Sequence, residues 1–290
     1  MLSVLTINAA LQDVRILSFS FYRPLDHIHE RLHGLASAIK SLQPDIVCIQ
    51  ELFHHDLQQA LYAHLADVYP HATGFGGRGI KWQLDNELIT LSRYPFSGSQ
   101  FIRFKRAATE EKIFIKRGMM RMDMDIPSVG PLQLINVHMT AGGLRQHPED
   151  VHMETVRSSQ IRQLLDSVST TTPAMIVGDF NTGPGSSPEN YAQLLKDGMI
   201  DTFVAAGGEG MSWDPENPLV AGRCPHGLPP QRVDHILINH HASKILAANH
   251  AEIVLAENCL SVADKQIPVS DHYGVLVNFE ITGEKRSARN

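Results

Sequence analysis

Short apolar runs, separated by polar or Gly- and Pro-rich stretches, set the rhythm of this chain. Runs suited to strands fall at Leu2–Ile7, Asp45–Ile49, Leu88–Leu91, Met119–Ile126, Pro131–Val137, Ala174–Val177, Val233–Ile238 and Gly274–Ile281. Several are continuous rather than alternating, the pattern of strands covered on both faces. Helical spacing lies between them. Leu25, Ile28, Leu32, Leu35, Ala36 and Ile39 recur every three or four residues, with Asp26 placed as N-cap and Pro44 just past the end. Ile161, Leu164, Leu165 and Val168 repeat that spacing; Tyr191, Leu194 and Leu195 do so more weakly. Strands mixed with fewer, unevenly placed helices predict an α/β fold of packed sheets with helices outside, rather than a strictly alternating doubly wound one. The longest apolar runs are strand-length, so none is expected to span a bilayer.

Composition adds bounds. With 290 residues, 43% of them hydrophobic, the chain can bury a large core. No linker or charge run interrupts it, so one domain is expected over residues 1–281, followed by a polar tail over 282–290 that frays. Three dispersed cysteines, Cys48, Cys224 and Cys259, argue against a disulfide framework or a zinc site and for a reducing compartment. The start, "MLSVLTINAA", lacks the basic segment and long apolar stretch of a signal peptide, so a cytoplasmic location is expected, with peripheral membrane contact and non-classical secretion left open. A net charge of −6 with dispersed basic residues weighs against extended duplex nucleic acid as a partner. Most of the 16 histidines, His54–His55 and His240–His241 among them, read as surface or helix-flank residues.

The apolar runs end in an unusual way. Asn8 closes the first, Glu51 closes "DIVCIQE" and His138 closes "LQLINVH". Asp179 and Asn181 follow the Ala174 run, Asp234 sits in "RVDHIL", and Asp271 and His272 precede the last run. A turn residue or a cap explains any one of these; the whole set needs more. Residues two apart share a strand face, so Asn136 and His138 point together, as do Asp179 and Asn181 if extended geometry continues. Carboxylates with amide oxygens suit a hard cation such as Mg²⁺, with Mn²⁺ and Ca²⁺ as alternatives. A histidine beside an aspartate suits a general base, and amides with a second histidine suit developing phosphoryl charge. Cation, base and oxyanion donors together describe metal-assisted cleavage of a phosphate ester. There is no GxSxG elbow, P-loop, HExxH or CxxC.

The pieces "LTIN", "PDIVCIQE", "LITLSRYP", "LINVHMTA", "IVGDFNTGP", "RVDHILI" and "PVSDHYGV" resemble, in order, the endonuclease/exonuclease/phosphatase superfamily of pancreatic deoxyribonuclease. The resemblance implies a four-layer sandwich, two packed mixed β-sheets flanked by helices, and a Mg²⁺-dependent phosphoesterase. It implies Glu51 as principal metal ligand with Asn8 and Asp271 beside the cation, and His272 as base oriented by Asp234. It further implies Asp179 at the attacking water, and Asn181 and His138 on the phosphoryl oxygens, with His138 also near the leaving oxygen. Within the superfamily the likeness extends to bacterial-type neutral sphingomyelinases. "IKRGMMRMDM", "NVHMTAGG", "RSSQIRQLLD" and "MSWDPENPL" are similar to segments of that group. A phospholipid head-group diester is the substrate this implies, with peripheral membrane contact. Two alternatives stay open: a nuclease or nucleotide or phosphoinositide phosphoesterase of the same fold, and a non-catalytic lipid-binding module. Lys112, Lys116, Arg117 and Arg121 would serve a polyanionic head group. Arg157 and Gln160, one helical turn apart, read as a helix-to-loop brace. The segment from Val14 to Phe21, rich in large apolar residues, reads either as an extra strand or turn packed on the core edge or as a lipid-facing loop. Removing His272 is expected to abolish the base with little change in stability.

Overall fold

Alternation along the strands assigns each face of two sheets. The computed structural model describes all residues except 13, 17–18, 23–24, 75–85, 142–150, 223–226, 258, 263 and 283–290, and the side chains of 13–24, 110, 113–114 and 151. In chain order the strands are β1 (Leu2–Leu11), β2 (Val14–Ile16), β3 (Phe19–Tyr22), β4 (Ile46–Leu52), β5 (His71–Thr73), β6 (Ile89–Ser92), β7 (Phe96–Arg103), β8 (Gly118–Ile126), β9 (Gly130–His138), β10 (Ala174–Asp179), β11 (Ile200–Asp201), β12 (Asp234–Ile238), β13 (Leu246–Val254), β14 (Leu260–Val262), β15 (Lys265–Ile267) and β16 (Gly274–Ile281). The helices are α1 (Ile28–Leu42), α2 (His55–Leu65), α3 (Thr109–Phe114), α4 (Val151–Leu165), α5 (Pro188–Leu194), α6 (Thr202–Ala205) and α7 (His240–Ser243).

The first sheet has the order β13-β16-β1-β4-β6-β5 and the second β11-β12-β10-β9-β8-β7, with β2–β3 and β14–β15 as separate hairpins. Each large sheet holds one parallel pair at its centre, β1–β4 and β9–β10, between antiparallel neighbours. Leu2, Val4, Ile46, Cys48, Leu134, Met175, Val177, Ile236, Val277 and Phe279 meet between the sheets, all buried. The alternate positions, Leu5, Ile7, Val47 and Ile49, pack outward against Leu32, Leu35 and Ile39 of α1 and Leu57 and Leu61 of α2. On the other side Ile135, Val137 and Ile176 pack against Ile161 and Leu164 of α4 and Leu194 of α5. Continuous apolar runs are required because both faces of each sheet are covered. The result is the predicted four-layer α/β sandwich. No helix among the described residues is long and apolar enough to cross a membrane.

The eight predicted strand runs are strands, but the short β5, β11, β14 and β15 and the longer β7 and β13 went unforeseen. β5, β7, β11 and β13 are the edges of the two sheets; β7, "FSGSQFIR", is largely exposed and carries too few apolar residues to stand out. Asp26 is not the cap of α1: the helix begins at Ile28 after His27, at φ 60° and without a side-chain cap bond. The Asp26 carbonyl instead accepts from Arg31 Nε at 3.1 Å. Within the segment from Val14 to Phe21, β2 and β3 pair antiparallel, while residues 17–18 and the side chains lie outside the described residues, as does the tail beyond Thr282.

Candidate active site

Between the sheets the strands change from apolar to polar in one direction. Leu2 and Val4 are followed on the same face by Thr6 and Asn8, and Ile46 and Cys48 by Gln50. Leu132 and Leu134 give way to Asn136 and His138, and Met175 and Val177 to Asp179. β1 with β4, and β9 with β10, are parallel, so their C-terminal ends open together. The antiparallel neighbours supply their beginnings: Asp234 opens β12, Glu87 precedes β6, and Asp271 and His272 precede β16. Acids, amides and histidines at strand ends are therefore one polar mouth on an otherwise apolar interior.

Backbone detail aims these groups. Gly178, at φ +146°, permits the approach of β9: a Cβ there would sit 2.0 Å from the Val137 carbonyl oxygen. The Asp179–Asn181 pair does not continue as strand, because Asn181 adopts φ 47°. Its N–H turns back to Asp179 Oδ1 at 2.8 Å and its Nδ2 donates to the Met139 carbonyl at 3.0 Å. Glu51, at φ 57°, likewise breaks the alternation of β4, and its Oε1 lies 3.7 Å from His138 Nε2 of the other sheet.

Asp179 is the hub. Its buried Oδ2 accepts from Asn8 Nδ2 at 2.9 Å and faces His138 Nε2 at 3.5 Å and His272 Nε2 at 3.9 Å. Burial alone would raise this carboxyl, but His138, His272 and the two hydrogen bonds hold it below the usual carboxylate range. His272 Nδ1 donates to Asp234 Oδ2 at 2.9 Å. Burial opposes charge on this ring, yet Asp234, Asp179 and Asp271 outweigh it, holding the imidazole well above its ordinary value. Asp234 is raised, chiefly by its own burial.

The oxygen donors suit a divalent cation. Burial raises the Glu51 carboxyl; His138 partly offsets this, while Glu87 and Asp271 push further upward. A carboxylate raised beside other carboxylates is short of positive charge, which a cation supplies. Gln12 Nε2 is the group that donates to Glu51 Oε2. Asn8 Oδ1 accepts the Ala10 N–H at 3.0 Å and keeps a lone pair. Behind this edge the buried Arg31 guanidinium donates to the carbonyls of Ala9, Ala10 and Val269, tying the end of β1 to the loop before Asp271. Ligand atoms of Asp179, Asp234 and His272 also converge within 4.8 Å. Two of these three residues, Asp234 and His272, are already hydrogen-bonded to each other.

Glu87 escaped the sequence reading. Buried at the start of β6, it lies 3.1 Å from His138 Nδ1 and 2.5 Å from Arg117 Nη1, which is itself 2.5 Å from His138 Nδ1. Its signal was an acid one residue before the Leu88–Leu91 run, akin to Asp234 at the opening of β12. Burial and Arg117 lower the His138 ring, but Glu87 and Asp179 prevail and raise it. A histidine raised by folding adds stability below its unfolded pKa of about 6.5, lost as pH climbs through the folded value. Glu87→Gln should therefore flatten the loss of stability between neutral and alkaline pH. It should also cost about 3–5 kcal/mol at pH 6, since Arg117 and His138 lose a buried partner. Urea unfolding at both pH values measures this; an unchanged midpoint would mean the carboxylate contributes nothing.

Arg117 is not available to a polyanionic head group as the sequence suggested: it is 6% exposed and bound to Glu87 and Glu111. Gln160 and Arg157 do form a brace, on the segment that trails His138. Gln160 accepts the Thr140 N–H at 3.0 Å and donates to the Arg106 carbonyl at 2.9 Å, and Arg157 Nη1 donates to the Thr140 carbonyl at 3.2 Å. His54 flanks α2, and the partly or fully exposed His240 and His241 open α7.

Known proteins share this architecture. Sphingomyelinase C from Streptomyces griseocarneus superposes with a TM-score of 0.74 at 22% identity, covering 95% of this chain and 98% of that one. A beta toxin variant from Staphylococcus aureus with bound magnesium ions gives 0.71 at 18% identity, over 95% and 98%. Humanized D. rerio TDP2 gives 0.70 at 19%, over 96% and 98%. In sequence, Protein angel of Drosophila melanogaster is 25% identical over 229 residues, 69% of this chain and 57% of its own length. The chain thus spans just over half of that relative. The pattern of the Endonuclease/Exonuclease/phosphatase family matches residues 5–272, nearly the whole chain. The chain belongs to the Endonuclease/Exonuclease/phosphatase family.

Proposed function

We propose that the enzyme is a Mg²⁺-dependent phosphodiesterase that hydrolyses a phospholipid head group of the sphingomyelin kind. The observation that carries the reading is the company kept at one polar mouth: the oxygen donors Asn8, Glu51 and Asp271 beside the hydrogen-bonded His272–Asp234 pair. Glu51, Asn8 and Asp271 would hold the cation. When bound, it would supply Lewis-acid stabilisation of charge on the phosphoryl and leaving oxygens.

Asp234 holds the proton on His272 Nδ1, so the neutral ring presents a lone pair at Nε2. A water between Nε2 and Asp179 Oδ2, which are 3.9 Å apart, meets a proton acceptor and an orienting carboxylate together. His138, with the Arg117 guanidinium against its Nδ1, carries its proton on Nε2 and donates it to a phosphoryl or leaving oxygen. Asn181 has one amide hydrogen engaged with Met139 and a second to give to phosphate.

The likeness to sphingomyelinase C and the acidic net charge favour the lipid diester. A nuclease or nucleotide phosphoesterase is the second reading, favoured by the likeness to TDP2. The internal pairing of Arg117 weighs against a phosphoinositide. The complete acid–base pair weighs against a non-catalytic lipid-binding module. The test is phosphocholine release from sphingomyelin vesicles with Mg²⁺ and with EDTA. Release confined to the metal arm is expected; none, with a generic diester still cleaved, would overturn the lipid assignment.

A further inference from the structure

One tier below the mouth, polar side chains cross the apolar interior between the sheets. Gln50 Nε2 on β4 donates to Asn136 Oδ1 on β9 at 2.8 Å. Asn136 Nδ2 reaches the carbonyls of Ile49 at 3.3 Å and Ile89 at 3.1 Å and the Thr90 hydroxyl at 3.2 Å, so a side chain of the second sheet plugs into β4 and β6 of the first. The Thr6 hydroxyl on β1 completes the tier, 3.2 Å from Gln50 Nε2. Thr6, Gln50, Thr90 and Asn136 are all at most 0% exposed.

Desolvating two amides is unfavourable where an apolar pair would pack as well, and apolar contact is non-directional. What the amides add is direction. Each sits just upstream of a mouth residue: Thr6 two before Asn8, Gln50 one before Glu51, Asn136 two before His138. Asn8 and Glu51 ride on the first sheet and Asp271 on the loop entering it, whereas His138, Asp179, Asn181 and Asp234 belong to the second. Catalysis between groups on different layers depends on the placement of one layer against the other, and an error of 1 Å costs about 100-fold.

We propose that Gln50 and Asn136 are a positioning pair that locks the two sheets in the register at which the cation-binding half and the phosphoryl-binding half of the site face each other. This rests on the reading of the site under Proposed function. Neither residue touches substrate; both act through the strands that carry Glu51 and His138.

The test is Gln50→Met and Asn136→Leu, singly and combined; each single variant strands the other amide, and only the double variant removes both polar partners together. In the folded double variant, kcat for bis-p-nitrophenyl phosphate should fall about 10- to 100-fold. Mn²⁺ affinity by electron paramagnetic resonance should stay within about threefold, because one sheet and its loop carry the ligands. The double variant should be no worse than the worse single one, as for residues that act as a unit. A folded double variant with wild-type kcat would overturn the proposal, since a merely structural role lowers the melting temperature alone. Should it not fold, Thr90→Val loses only the hydroxyl that anchors Asn136. A drop in kcat of about threefold at unchanged Mn²⁺ affinity supports the pair, and unchanged kcat overturns it. An inactive wild-type protein would instead contradict the phosphodiesterase reading.

Discussion

Replacing His272 with glutamine should lower turnover at least about 100-fold, the usual scale for losing a general base. The variant matters. Asp234 is wholly buried and its Oδ2 is bonded to His272 Nδ1. Alanine would strand that carboxylate and destabilise the fold by about 3–5 kcal/mol, contrary to the small stability change expected from sequence. Glutamine offers an amide N–H to Asp234 but cannot take a proton from water, so it separates catalysis from stability. The wild-type acid limb should reflect His272: activity falls as pH drops and the ring protonates. In the metal-free protein the raised ring also adds stability that is present below about pH 6.5 and lost as pH rises through the folded value. A glutamine variant with near-wild-type turnover would remove His272 from the mechanism.

Glu51→Gln should raise the Mg²⁺ concentration for half-maximal activity by at least about 100-fold, the upper end for loss of an outer partner. A second consequence has the opposite sign. The Glu51 carboxyl is raised by burial, so its charged form is disfavoured in the metal-free fold. The neutral amide relieves this, and the metal-free variant should melt no lower than the wild type while losing the upward shift that Mg²⁺ gives. A calorimetric titration with and without Mg²⁺ reads both. An unchanged metal-induced shift would place the cation elsewhere.

The strands that carry the site were legible because burial on both faces makes them continuous apolar runs, and a charged or amide residue at the end of such a run is conspicuous. Asn8, Glu51, His138, Asp179 and Asp234 all share that signature, and their order carried the family resemblance. Glu87 has a weaker form of it, at the start of an antiparallel strand in a polar stretch. The Asp179–Asn181 geometry was not legible, because a left-handed turn at Asn181 replaces the extended backbone that residue spacing assumes. Nor was the withdrawal of Arg117: a basic residue among Lys112, Lys116 and Arg121 looks solvated until Glu87 and Glu111 arrive from other elements. β7 and β13 stayed hidden because edge strands expose polar residues to water.

The most direct measurement is hydrolysis of bis-p-nitrophenyl phosphate by the wild-type protein, with Mg²⁺ titrated from a chelated start. A site that pairs a cation on one sheet with a base held by the other predicts saturable, Mg²⁺-dependent release of p-nitrophenolate that EDTA abolishes. No release at any Mg²⁺ concentration, or release that EDTA leaves untouched, would contradict it.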